Sequence, residues 1–297
     1  MQQIRTLGDV PLTTLAEAVG QAFEDYFVKI DASPATLGTR WYGARVDYAL
    51  SFGAFENEQL VAFLLHGIDE NKNGKKAHNV VSGVIPSHRG KRLIEQIYEK
   101  ALPVLRISGV KTLTLEVLSE NQKAIKAYQN VGLRPTGMLR CFDGKLNVPD
   151  EKAFASFRVQ KIQDYEWDLV KDLVNYTYSW DNQPDAVAML ADDYETWLVY
   201  DQQNVLNGFA VINPQNGYIS QFGFRSGATH SVKMYLFKAL SEVYENVRVH
   251  SIPNDADDVI DLLQKAGLKN TANQFEMKMN LTANMTEALS MRVAAMR

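Results

Sequence analysis

The chain has a single cysteine, Cys141, in 297 residues, so no disulfide can form within it. That fits a reducing compartment and removes metal clusters built on cysteine. No histidine-containing motif surrounds Cys141, and a packed or surface thiol is its expected state. Long apolar runs are missing as well. Nowhere do 18 uncharged apolar residues follow one another, and the N-terminus MQQIRTLGDVPLTTL lacks the apolar segment of a secretory leader. The expectation is a cytoplasmic protein with no membrane partner. Positive charge is not in excess either: 31 Lys and Arg stand against 35 Asp and Glu, a net charge of −4. Nucleic acid, whose binding leaves a basic face, is therefore not an expected partner.

What is present suits a globular chain. Hydrophobic residues make up 46% and charged residues 22%, and the length accommodates two domains of ordinary size. Residues 12–30 carry Leu12, Leu15, Ala16, Val19, Phe23, Tyr26 and Phe27 at helical spacing. A weaker helix follows Pro34. Ala49–Phe55 and Leu60–Gly67 read as strands joined by the turn ENEQ, DENKNGKK (69–76) as a loop, and Asn79–Ile85 as a further strand. An amphipathic helix then begins near Leu93, and Pro103 should kink it or end it early. A strand over Thr112–Leu118, a helix over Gln122–Val131 and a stop at Gly132 complete the first half.

The polar tract DGKLNVPDEK (143–152) is the expected domain boundary. Beyond it the layout repeats without repeating the sequence. VSGVIPSHRGKRLI is answered by ISQFGFRSGATHSV, and LEVLSENQKAIKAYQNVGL by HSIPNDADDVIDLLQKAGL. The reading is two domains of one fold, 1–147 and 152–283, with 284–297 as a short terminal helix. Each is α/β, with a mixed, mostly antiparallel sheet flanked by helices. Trp167, Trp180 and Trp197 of the second half are expected as core anchors.

Within this frame VIPSHRGKRLIEQIYEKAL (84–102) is unusual. His88, Arg89, Lys91 and Arg92 crowd a helix start that is already electropositive, because its first N–H groups have no intrahelical partner. Permanent cations there suit an anionic ligand such as a phosphate.

Two stretches resemble the GNAT superfamily of acetyl-CoA-dependent N-acetyltransferases. V-x-P-x-x-R-G-K at Val84, Pro86, Arg89, Gly90 and Lys91 is similar to the superfamily's pyrophosphate loop. L-E-V-x-x-x-N-x-x-A-x-x-x-Y-x-x-x-G at Leu115, Glu116, Val117, Asn121, Ala124, Tyr128 and Gly132 is similar to its second motif, with Leu133 in place of the usual Phe. The resemblance covers residues 1–145, and the second half only in layout. It implies acetyl-CoA as co-substrate, an amine acceptor, direct acetyl transfer and no metal.

The implied cofactor site comprises the backbone of Gly83, Val84 and Ile85 beside the pantetheine, and Arg89, Gly90, Lys91, Arg92, Leu93 and Ile94 around the pyrophosphate. Asn121 and Tyr128 complete it. Gly90 allows close approach, and the cations add charge-assisted hydrogen bonds. Where the superfamily pattern has glycine this chain has Arg92, and where it has glycine or alanine it has Ile94. A left-handed backbone at Arg92 would cost about 1 kcal/mol.

Tyr128, by the same resemblance, protonates the departing thiolate. Asn121 is expected to cap its helix. For the base that takes the amine's proton the candidates are His78, which shares strand alternation with Val80, Ser82 and Val84, and Glu116 on the next strand. Asp47 and Tyr48 are candidates on the acceptor side. The second half has Gly227, Ala228 and Thr229 where Arg89–Lys91 stood, and Leu263 where Tyr128 stood. It is expected not to catalyse. The function expected is N-acetyl transfer. An acyl-CoA sensor with a decayed loop is the alternative, and an aminoacyl transferase would need a basic face that the charge balance does not supply. Acceptor identity and oligomeric state stay open.

Overall fold

The computed structural model describes residues 2–26, 29–72 and 74–282. Phe27 and the expected terminal helix 284–297 lie outside the described residues. The chain divides into two compact units, one of residues 1–136 with 275–297 and one of residues 137–274.

The first unit contains β1 (Gln2–Thr6), α1 (Leu12–Ala22), α2 (Pro34–Gly43), β2 (Phe52–Glu56), β3 (Gln59–Asn71), β4 (Gly74–Val84), α3 (Leu93–Ile107), β5 (Val110–Leu118) and α4 (Gln122–Val131). Its strands follow the order β1-β2-β3-β4-β5, antiparallel throughout except for the parallel pair β4–β5. On one face α1 and α2 bury Leu15, Val19, Leu37 and Trp41 against Phe63 and Leu65. On the other, α3 and α4 bury Ile97, Tyr98, Leu105 and Tyr128 against Ala62, Leu64, Leu113 and Leu115.

Chain order continues with β6 (Arg134–Gly144), β7 (Phe157–Ile162), α5 (Trp167–Val170), α6 (Pro184–Met189), β8 (Glu195–Asp201), β9 (Leu206–Asn213), β10 (Tyr218–Phe224), α7 (His230–Ser241), β11 (Val247–Pro253), α8 (Asp257–Lys265) and β12 (Lys269–Asn280). The second unit's strand order is β6-β11-β10-β9-β8-β7, with β10–β11 its parallel pair. The expected plan of two mixed sheets with flanking helices therefore describes both units.

Several expectations change in detail. The division falls at residue 136, not at the tract 143–152. That tract belongs to the second unit because Leu146 and Val148 are buried in its core and Asn147 N–H donates to Ala266 O at 2.8 Å. Helix α1 ends at Ala22, so Phe23–Tyr26 are not helical. The polar tract 69–76 is not a loop: most of it extends β3 and β4 into a long hairpin. Pro103 does not end α3, which continues to Ile107 because Ile97, Tyr98, Ala101 and Leu105 anchor it on both sides of the missing N–H. The ENEQ turn is as expected, with Asn57 and Glu58 both at positive φ, the geometry that matches strand twist.

Candidate active site

The pairing of β4 with β5 stops at Asn79–Leu115, although β4 runs on to Val84 and β5 to Leu118. Between these strands a gap opens, edged by backbone groups without a ladder partner. Ile85 N–H donates to Val61 O at 3.0 Å, which fixes the alternation: Gly83 and Ile85 turn their backbone toward β3, and Ser82 and Val84 toward the gap. Of the expected trio, then, Val84 faces the gap and Gly83 and Ile85 do not; Ser82 joins it. Gly83 serves packing, since a Cβ there would meet Phe63 Cζ at 2.6 Å and Ala22 Cβ at 2.9 Å.

Register also corrects His78. Leu65 pairs with Val81 and His66 with Asn79, so Val80 is an inserted bulge residue. The bulge reverses the alternation upstream of it. Asn79 shares the α3/α4 face with Ser82 and Val84, whereas His78 lies on the α1/α2 face with Val81. His78 is buried, its Nδ1 2.9 Å from Thr114 Oγ1. Alternation along β5 puts Glu116 on the same face as Thr114, half-buried.

Asn121 caps α4, accepting from Ala124 N–H at 3.2 Å, and Gly132 at φ 118° closes it. The helix thereby presents Tyr128, 8% exposed, to β4: its Oη lies 2.7 Å from Ser82 Oγ. Asn79 Nδ2 lies 3.4 Å from Ser82 Oγ and 3.1 Å from Tyr98 Oη. Burial raises the Tyr128 pKa above the ordinary tyrosine value, against the bond with Ser82 and the nearby Asn79 amide, so the phenol is protonated at neutral pH.

The basic loop is built differently from the expectation. Arg89 is exposed but turned back on its own unit: its guanidinium pairs with both carboxylate oxygens of Asp25 at 2.6 and 2.7 Å and donates to Ala22 O, clamping the chain just past α1, and its Nε donates to Val84 O at 3.3 Å. This pair lowers the Asp25 pKa. His88 pairs with Glu56 at 2.7 Å. Gly90 has φ 79° and borders open space, with no atom within 4 Å of where a Cβ would stand. Arg92 is left-handed at φ 56°, ψ 37°. It is the N-cap of α3 but its side chain does not cap; the first intrahelical bond is Gln96 N–H to Arg92 O. The N–H groups of Leu93, Ile94 and Glu95 thus have no carbonyl within the helix to meet. Leu93 and Ile94 direct their side chains to the core. Lys91 and Arg92 remain exposed beside these amides.

Asp47 accepts from Ala49 and Leu50 N–H as a local cap, and Tyr48 packs edge-on to Trp41. Cys141 is buried. Among the described residues no cluster of His, Cys, Asp or Glu could hold a metal, and no helix is long and apolar enough to cross a membrane. Sequence reasoning missed Ser82, Asn79, His66 and Asp25. The run HNVVSGV contains three of the polar residues concerned, counting His78, but no residue type in it announces a bulge.

Comparison with known proteins agrees with this geometry. Residues 16–133 match the family model described as Acetyltransferase (GNAT) family. No curated protein matches the sequence. A tandem GNAT protein from the clavulanic acid biosynthesis pathway is similar in structure at TM-score 0.70 and 10% identity, covering 95% of this chain and 99% of that one. A GCN5-related N-acetyltransferase from Sphaerobacter thermophilus gives TM-score 0.70 at 12% identity, over 94% and 96% of the two chains. Another from Anabaena variabilis gives 0.62 at 11%, over 95% and 73%. At such identities the likeness is one of fold. Residues 16–133 thus form a domain that matches the GNAT acetyltransferase family, and the two units together share the fold of a tandem GNAT protein.

Proposed function

We propose that the first unit transfers an acetyl group from acetyl-CoA directly to an amine. One observation carries this: the Tyr128 hydroxyl stands beside Ser82, whose backbone edge faces the gap between β4 and β5. Ser82 and the N–H of Val84 offer a strand-like edge on which a pantetheine amide can pair, Val84 O already accepting from Arg89 Nε. The loop amides from Gly90 to Glu95, with Lys91 and Arg92, would receive the diphosphate, while Arg89 shapes the loop through Asp25. With the sulfur end in the gap, Tyr128 gives its proton to the leaving thiolate. Acid and base should approach the acyl carbon from different sides, and His78 and Glu116 lie on the opposite sheet face from Tyr128. His78 Nδ1 lies 2.9 Å from Thr114 Oγ1.

Tyr128→Phe tests this reading. Thiol release from acetyl-CoA with an accepted amine should fall by about 10²-fold or more, with cofactor affinity retained. A non-catalytic acyl-CoA sensor is the second reading, favoured by the engagement of Arg89 away from the loop. It requires cofactor binding by calorimetry with no turnover for any amine, in wild type and variant alike.

A further inference from the structure

The Tyr128 hydroxyl does not stand alone; it ends a buried polar chain that the bulge at Val80 assembles. Without the inserted residue, Asn79 and Ser82, three positions apart, would face opposite sides of the sheet. With it both face α3 and α4, and Asn79 Nδ2 reaches Tyr98 Oη at 3.1 Å and Ser82 Oγ at 3.4 Å. Ser82 Oγ in turn lies 2.7 Å from Tyr128 Oη.

The direction of these bonds follows from donor chemistry. An amide nitrogen can only donate, and its two N–H groups serve the two hydroxyl oxygens. Ser82 Oγ accepts from Asn79 and keeps its one proton to give; either oxygen of the 2.7 Å contact can donate, and where Ser82 gives its proton to the Tyr128 oxygen the Tyr128 proton points away from Ser82. Resting on the acetyl-transfer reading above, we propose that Ser82, oriented by Asn79, is a positioning residue that aims the Tyr128 proton at the cofactor sulfur and holds the phenolate once that proton has left. In the step concerned the amine nitrogen forms a bond to the acyl carbon, the bond from sulfur to that carbon breaks, and its electron pair goes to sulfur. Sulfur takes the Tyr128 proton, and the phenolate is left accepting from Ser82. The proton lost by the amine restores the balance, by way of the base and solvent.

The cost of this chain argues that it serves more than folding. Asn79 and His66, paired across β3 and β4, are buried, and Asn79 Oδ1 and His66 Nε2 are without partners among the described residues. Orphaned buried acceptors are rare and call for a cause. The second unit repeats the bulge, at Ser220 between Ile219–Ile212 and Gln221–Val211, yet fills the corresponding positions with Ile212, Ile219 and Phe222, all buried. The fold alone is therefore satisfied by an apolar filling.

The test is Ser82→Ala. Its kcat should fall about tenfold with KM for acetyl-CoA unchanged, the loss of one hydrogen bond to a charged oxygen. The pKa of Tyr128, read from its tyrosine 13Cζ resonance assigned by comparison with Tyr128→Phe, should rise. Tyr26 and Tyr98 are the other ionisable groups that interact with this phenol, and their resonances serve as internal references. Ser82→Thr should restore rate and pKa, and Ser82→Ala should change nothing further in a Tyr128→Phe background. An unmoved Tyr128 resonance, or losses that multiply in the double variant, would overturn the proposal. Wild-type protein without turnover would sink the acetyl-transfer reading instead, and the resonance would still report on Ser82.

Discussion

The two units solve the same geometric problem in opposite ways. Each has a central strand with a bulge and a parallel neighbour that parts from it, and each has a helix whose seventh residue faces that strand. In the first unit the facing residues are His66, Asn79, Ser82 and Tyr128; in the second they are Ile212, Ile219, Phe222 and Leu263. The open edges differ too. Arg225 N–H donates to Asn207 O, so Phe222 and Phe224 turn their backbone toward β11, as Ser82 and Val84 turn theirs toward β5. Where the first unit covers only Val84 O, by Arg89 Nε at 3.3 Å, the second has closed more of its edge: Asn175 pairs with both N–H and C=O of Phe224, at 2.8 and 3.0 Å, and Tyr178 donates to Phe222 O at 3.1 Å. The cleft left beside it, about 480 Å3, is lined by Asp255, Asp257 and Asp258 against the single cation Lys233, a negative balance that would repel a diphosphate. The comparison separates what the fold requires, a bulge and an apolar filling, from what the first unit adds to it.

If the polar filling of the first unit is a burden on folding, acid should expose it. Burial lowers the His66 pKa to about 4, opposed by its bond to Leu50 O and by Asp47. The unfolded chain, with an ordinary histidine near 6.5, binds the proton first as pH falls. Stability contributed by the neutral form is therefore complete above about pH 6.5 and is lost as pH falls toward 4, by about 3 kcal/mol in all. Glutamine in place of His66 keeps a donor for Leu50 O and cannot titrate. Urea midpoints at pH 7 and pH 4 should show wild type losing about 3 kcal/mol relative to His66→Gln; parallel losses would mean that His66 is hydrated.

The self-closed edge of the second unit predicts a smaller effect. Asn175→Ala leaves the Phe224 N–H and C=O unpaired beside the cleft, and should lower stability by about 2 kcal/mol. Calorimetry should count one acetyl-CoA per chain before and after the change, since the aspartates remain. A second site appearing in the variant would mean that the two clefts differ only by their plug.

How far the sequence revealed this follows the range of each signal. Helix α4 was legible to the residue because its cap Asn121, its stop Gly132 and its apolar spacing are all local. The gap-facing backbone of Val84 and the left-handed backbone at Arg92 were legible through motif spacing. The partners of those residues were not: Asp25 meets Arg89 across 64 positions and Ser82 meets Tyr128 across 46. A single inserted residue at Val80 moved His78 to the other face and Asn79 into its place, because strand alternation has period two and any insertion inverts it. Domain division failed for a related reason. A polar tract suggests a linker, but Leu146 and Val148 within it carry enough apolar surface to be packed.

The two helix starts offer the finest contrast. Thr229 caps α7 conventionally, in extended backbone with its side chain accepting from Val232 N–H, so one donor of that first turn is met from within. Arg92 caps α3 in the left-handed region and gives no side-chain bond, leaving strain and unmet donors together. A merely structural helix gains nothing from that arrangement, whereas a diphosphate seat needs the donors unmet. Glycine at this position accepts the backbone freely but loses more freedom on folding, so Arg92→Gly should raise stability by only about 0.5 kcal/mol. It should also raise KM for acetyl-CoA about threefold, the effect of one exposed cation. A more stable variant with unchanged KM would assign the anion to the amides alone; a less stable one would show that the Arg92 side chain, not its backbone, holds the loop.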